Sequence, residues 1–131
     1  VVINPPYYKI GTPSKNQGRN QSLRITNPLS EWVNEGVKRL KPNGWITIIN
    51  TPENLIEILI ALSKGTGDIQ IKPLTSSRDK TANRVIIRAK KGSKGITKLY
   101  APLITHVSEG NIKKFSYETE EILRRGSPLI F

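Results

Sequence analysis

The residues best suited to chemistry stand together near the start of the chain. The apolar run Val1-Val2-Ile3 leads straight into Asn4-Pro5-Pro6-Tyr7. Two consecutive prolines stiffen the backbone there, with an amide on one side and a phenol on the other. The rest of the composition narrows what such a group does. There is no Cys and a single His, His106. Thiolate nucleophiles, thiolate metal sites and a disulfide framework are therefore set aside, as are a His-based metal cluster and a Ser/His/Asp triad.

Charge points to the kind of partner. The 131 residues carry 21 Lys+Arg against 10 Asp+Glu, a formal net charge of +11. A polyanion is the matching ligand, because neutralising phosphates releases their counterions. Residues 8–28 follow the motif with Gly11, Pro13, Gly18 and Pro28 and no periodicity, the pattern of a long loop. Lys9, Lys15, Arg19 and Arg24 lie in it with no acidic residue among them. A long basic loop beside a candidate site reads as a substrate-binding element.

The elements that must position these groups alternate in type. Asn27-Pro28 predicts an N-cap and first helical residue, followed by an apolar stripe of Leu29, Trp32, Val33, Val37 and Leu40. Lys38, Arg39 and Lys41 suit the end of that helix, and Pro42-Asn43-Gly44 stops it. Trp45-Ile46-Thr47-Ile48-Ile49 predicts a covered parallel strand. Thr51-Pro52 opens a second helix with a capping hydroxyl. Its apolar residues Leu55, Ile56, Ile58, Leu59, Ile60 and Leu62 run almost all round, predicting near-complete burial. Strands are expected over 68–74 and 84–89, with Arg78-Asp79-Lys80 in the polar connection between them and a basic loop over 90–95. An extended stretch over 96–107 and a turn at Glu109-Gly110-Asn111 precede a short final helix. That helix has Ser116 as cap, Glu118, Glu120 and Glu121 early, Arg124 and Arg125 late, and Gly126 after it. With 36% apolar residues the chain suits one α/β domain over 1–131. No run of 18 apolar residues and no signal-peptide pattern occurs, so no membrane span is expected and the cytoplasm is the default compartment.

An apolar strand followed at once by Asn-Pro-Pro-Tyr resembles the substrate-amino motif of Rossmann-like methyltransferases that use S-adenosylmethionine. Leu40-Lys41-Pro42-Asn43-Gly44-Trp45 is similar to that superfamily's helix-to-strand turn. Several further segments resemble a narrower group: Thr51-Pro52-Glu53, Lys80-Thr81-Ala82-Asn83-Arg84-Val85-Ile86-Ile87, Lys90-Lys91-Gly92-Ser93, Tyr117-Glu118-Thr119-Glu120 and Ile122-Leu123-Arg124. Together they look like the bacterial enzymes that methylate the exocyclic N6 of adenine in valine tRNA. The resemblance implies the C-terminal half of a Rossmann-like methyltransferase sheet, ending in an antiparallel hairpin and a short C-terminal helix.

It also implies roles. Asn4 and the Pro5 carbonyl would hold the target amine, Pro5 and Pro6 would stiffen the turn, and Tyr7 would stack on the adenine, with Tyr8 on the rim or in its place. The amine lone pair would then face the methyl group in line with the sulfonium, with deprotonation after attack and no strong base. Lys9, Lys15, Arg19 and Arg24 at the mouth, and Arg78, Lys80 and Arg84 in the distal connection, would take tRNA phosphates. Of the cofactor site only Asn4 has a counterpart, near the methionine end of S-adenosylmethionine. The Gly-rich loop and the acidic ribose-binding residue have none in residues 1–131. The expectation is a partial methyltransferase domain, inactive alone, with either a complementing N-terminal chain or self-association through Val1-Val2-Ile3. Two alternatives stay open: a fragment of a release-factor glutamine-N5 methyltransferase, and a non-catalytic basic RNA-binding remnant.

Overall fold

Alternation of apolar and polar residues builds the centre of the molecule. The computed structural model describes residues 1–5, 28–109 and 112–131. Strand β1 (Val2–Ile3) pairs in parallel with β2 (Trp45–Asn50), whose Ile46, Ile48 and Asn50 are buried. Helix α1 (Leu29–Lys38) lies between them in sequence, as a parallel pair requires. A single turn of 3₁₀ helix (Pro52–Asn54) and helix α2 (Leu55–Ser63) then lead to β3 (Thr66–Thr75) and β4 (Arg84–Lys91). The sheet order is β1-β2-β4-β3, with β4 antiparallel to both neighbours. Strands β1, β2 and β3 therefore all run the same way, and β4 is wedged among them against the grain.

Both helices cover one face of this sheet. Val33 and Leu40 from α1 side, and Ile58, Ala61 and Leu62 from α2, share one core with Ile46, Ile48, Ile69, Ile71, Val85, Ile87 and Ala89. Gly36 lets α1 come close: a β-carbon there would stand 2.8 Å from Ile46 Cδ1. Beyond β3, the short strands β5 (Lys98–Leu99) and β6 (Leu103–Ile104) both add to its free edge in parallel. Strands β7 (His106–Glu109) and β8 (Ile112–Phe115) form a separate antiparallel hairpin, and α3 (Tyr117–Arg125) follows.

The final helix is built as its sequence requires. Ser116 Oγ accepts the Thr119 N–H at 3.3 Å, Gly126 adopts φ +69°, and Arg125 meets Glu121 one turn back at 3.0 Å.

Four expectations need correction. Pro28 is the N-cap of α1, not its first helical residue, while Asn27 lies outside the described residues. The Thr51 hydroxyl makes no capping bond; instead the Thr51 N–H donates to the side chain of the preceding Asn50. Helix α2 is not buried all round, since Ile56 is 73% and Ile60 58% exposed. Each is two residues from the buried Ile58, about 200° around the helix and so on its far side. The stretch over 96–107 is also not one strand. Pro102, which has no N–H to give a ladder, separates β5 from β6, and the chain then leaves the sheet at His106.

Strand β4 also runs two residues past its expected end, which gives Lys91 a structural task. Its Nζ donates to the carbonyls of Lys38 (3.0 Å) and Leu40 (2.8 Å) at the end of α1. A cation there satisfies carbonyls that the helix itself leaves open and offsets its dipole. Lys91→Ala is expected to cost about 1–2 kcal/mol in urea unfolding. An unchanged midpoint would remove Lys91 from the cap.

Candidate active site

The carboxyl ends of parallel strands are where open α/β sheets bind ligands, and β1 delivers Asn4 and Pro5 to that end. Few bonds set the register. The Val1 nitrogen donates to the Trp45 carbonyl and the Val1 carbonyl accepts the Thr47 N–H, both at 2.8 Å. Val2 then lies opposite Thr47 and Ile3 opposite Ile48. Ile3 packs against the core, so alternation turns Asn4 to the other side. Asn4 is exposed and Pro5 is buried. Pro6, Tyr7, Tyr8, Lys9, Lys15, Arg19 and Arg24 lie outside the described residues.

The distal basic set reaches the same end of the sheet. Because β4 is antiparallel, its first residue Arg84 stands opposite Leu74, near the carboxyl end of β3. The connection carrying Arg78 and Lys80 is tied there by Thr75, whose hydroxyl lies 2.8 Å from both the Ser77 and the Lys80 carbonyl oxygens. Arg78, Lys80 and Arg84 are exposed, and Arg84 Nη1 donates to the Asn83 carbonyl at 2.7 Å. At about 4.8 Å per strand, β4 stands about 10 Å from β1 and β3 about 14 Å. Topology thus sets Asn4 and these three cations along one rim without bringing them into one cluster.

Sequence reasoning missed Asn50, the last residue of β2 and fully buried. Its Oδ1 accepts the Thr51 N–H and the Asn54 amide, both at 2.8 Å. The Thr51 N–H can only donate, so the amide orientation is settled and the other atom is the amino group. That Nδ2 is buried with no hydrogen-bond partner. The signal was present: Asn50 is the one polar residue in the buried phase of Trp45-Ile46-Thr47-Ile48-Ile49-Asn50. Asn50→Ala removes both accepted bonds and is expected to cost about 2–3 kcal/mol in chemical denaturation. A loss below about 0.5 kcal/mol would show that the turn holds without it.

The described residues do not form a cradle for a nucleotide cofactor. Such a cradle needs glycines between a parallel strand and a helix, close to the ligand. Only Gly92 and Gly126 among the described glycines have positive φ, and a β-carbon on either would meet nothing within 4 Å. Gly92 follows β4, at the end of the sheet away from Asn4. No step through the cofactor follows from this half of a site.

No family model and no curated protein matches the chain. Among solved structures, a predicted O-methyltransferase from Agrobacterium tumefaciens aligns with TM-score 0.72 and 21% identity, covering 92% of this chain and 48% of that one. The M1.HpyAVI-SAM complex aligns with TM-score 0.41 and 14% identity, covering 87% of this chain and 50% of that one. The chain therefore spans about half the length of these structures. Its parallel strands with one antiparallel strand wedged among them, and the hairpin and helix that follow, have the fold of the C-terminal half of a Rossmann-like methyltransferase sheet.

Proposed function

We propose that this chain is the motif-bearing half of an S-adenosylmethionine-dependent methyltransferase acting on the exocyclic N6 amino group of adenine in tRNA. The observation that carries this reading is Asn4-Pro5 at the carboxyl end of β1 in a methyltransferase half-sheet. Asn4 and the Pro5 carbonyl accept the two amine hydrogens, which fixes the plane of the base and leaves its lone pair free. Tyr7, with Tyr8 beside it, stacks on the ring, and Pro5-Pro6 keeps the acceptors from relaxing. The cofactor supplies an electrophilic methyl group, and its cradle belongs to another part of the enzyme.

That other part has a place to dock. β1 pairs only with β2 among the described strands, and Val2 is 78% exposed beside an open edge. An uncovered edge is a template for another strand. In this reading the cofactor-binding half adds its strand there, as a separate polypeptide or as more of the same one.

The test is methyl transfer from labelled S-adenosylmethionine to unmodified tRNA, with the 131-residue chain alone and mixed with a Gly-rich N-terminal half. Label in N6-methyladenosine from the mixture, and none from the chain alone, is the expected result. Label in release-factor glutamine instead would replace the tRNA reading with the amide one. Robust turnover by the chain alone would overturn the division of labour.

A further inference from the structure

The ladder between β1 and β2 stops one rung short of where the backbone could carry it. The Val1 nitrogen donates to the Trp45 carbonyl, and the Thr47 N–H to the Val1 carbonyl, both at 2.8 Å. Bonds between parallel strands recur every two residues. The same step assigns the Ile49 N–H to the Ile3 carbonyl and the Thr51 N–H to the Pro5 carbonyl. Thr51 is still extended, with φ −83° and ψ 152°, so its N–H keeps to the β1 side as that of Thr47 does.

Two residues break that last rung. Pro5 has no N–H to give to the Ile49 carbonyl. Asn50 Oδ1 takes the Thr51 N–H at 2.8 Å, and the Asn54 amide, also at 2.8 Å, holds that oxygen in place. The Pro5 carbonyl accepts no hydrogen bond from a described residue.

The capture is costly for Asn50. With its oxygen committed to two donors, Nδ2 is left buried without a partner. Turning the amide over would set Nδ2 against both donors, so the orientation that serves Thr51 is the one retained. Asn50 is fully buried and cannot itself touch a substrate. What it changes is the main chain beside it.

We infer that Asn50 is a positioning residue for the motif: by taking the Thr51 N–H, it keeps the Pro5 carbonyl out of the ladder and open to the substrate amine. A carbonyl drawn into the ladder would face β2 and be occupied by Thr51. Left out of it, the oxygen keeps both lone pairs for a donor arriving at the carboxyl end of β1. The inference rests on the reading of Pro5 as an amine acceptor and adds to that site a residue from the neighbouring strand.

Asn50→Leu keeps the size of the side chain and removes its acceptor. The Thr51 N–H is then expected to bond the Pro5 carbonyl, seen in NMR as a nitrogen–carbon coupling across the hydrogen bond. In the assembly with the N-terminal half, kcat for tRNA methylation should fall about tenfold or more, with KM little changed. Adding Thr51→Pro deletes the competing N–H at a φ close to proline's own. The double variant should recover kcat to within about threefold of the unsubstituted assembly. A role in folding alone would not be rescued by a second substitution in the same turn. Full kcat in Asn50→Leu, or a double variant as slow as the single one, would overturn the assignment. So would a coupling from Thr51 to the Pro5 carbonyl in the unsubstituted chain, a measurement that stands even if Asn50→Leu does not fold. No methyl transfer to tRNA by the unsubstituted assembly, with the Thr51 coupling switching as expected, would count against the tRNA reading alone.

Discussion

Asn4→Ala is expected to lower methyl transfer by the reassembled enzyme about a hundred- to a thousandfold, the usual cost of losing one preorganised polar group at the reacting centre. The effect should fall on kcat more than on KM. The amine hydrogens become more acidic as the nitrogen gives up its lone pair, so the Asn4 oxygen binds them best in the transition state. Stability should change little, because Asn4 is exposed and follows the last paired residue of β1. Asn4→Asp keeps an acceptor oxygen and is expected to lose less. Single-turnover rates on tRNA separate the two variants. An alanine variant with full activity would remove the motif from the chemistry, and the tRNA reading with it.

Gly67→Ala is expected to destabilise the fold by about 2–3 kcal/mol, although the change adds one methyl group. Gly67 is buried in β3 where the register with β4 shifts, between Gly67 and Gln70. A β-carbon there would fall against the Ser93 carbonyl oxygen, with the carbonyl carbon at 2.8 Å and Gly95 N at 3.1 Å. All three are backbone atoms, and they cannot swing aside. The Asp68 N–H donates to the Gly95 carbonyl at 3.0 Å, and the Ser93 hydroxyl holds both the Asp68 carboxylate and the Gly95 N–H. Gly65→Ala is the control, because its β-carbon would make an ordinary contact with Val37 Cγ1 at 3.6 Å. Thermal melts should show the Gly67 variant down by roughly 10 °C and the Gly65 variant within about 3 °C. Equal melting points would mean that the turn over 93–95 shifts freely.

The two glycines also mark how far the sequence could be read. Gly65-Thr66-Gly67 looks like a loop after a helix, and nothing local separates a glycine with room from one pressed on a distant backbone. That distinction exists only once β3 has met residues 93–95. Signals complete within a few residues were legible: the apolar, β-branched run of β2, the Ser116 cap and the Gly126 stop. Those that need a partner were not. Ile56 and Ile60 are as apolar as Ile58, and only the one-sided docking of α2 leaves them outside. That Asn50, and not the Thr51 hydroxyl, would hold the turn after β2 depends on the burial of that strand's end. At the site, the types and spacing of Asn4 and Pro5 were plain in the chain. That Arg78, Lys80 and Arg84 share their end of the sheet was not, because it depends on the reversed direction of β4.

The position of β4 governs when the molecule can form at all. β2 and β3 do not touch, and each is bonded to the other only through a strand that emerges later than both. Up to residue 80 the described elements are two helices and three strands, and the strand that joins β2 to β3 is still to come. The β2–β3 connection in the sheet therefore closes only after residues 84–91 arrive, and Ile69 and Ile71 wait for β4 to be paired. A sheet read out of order thus leaves β3 without its neighbour for as long as it takes to make the next strand.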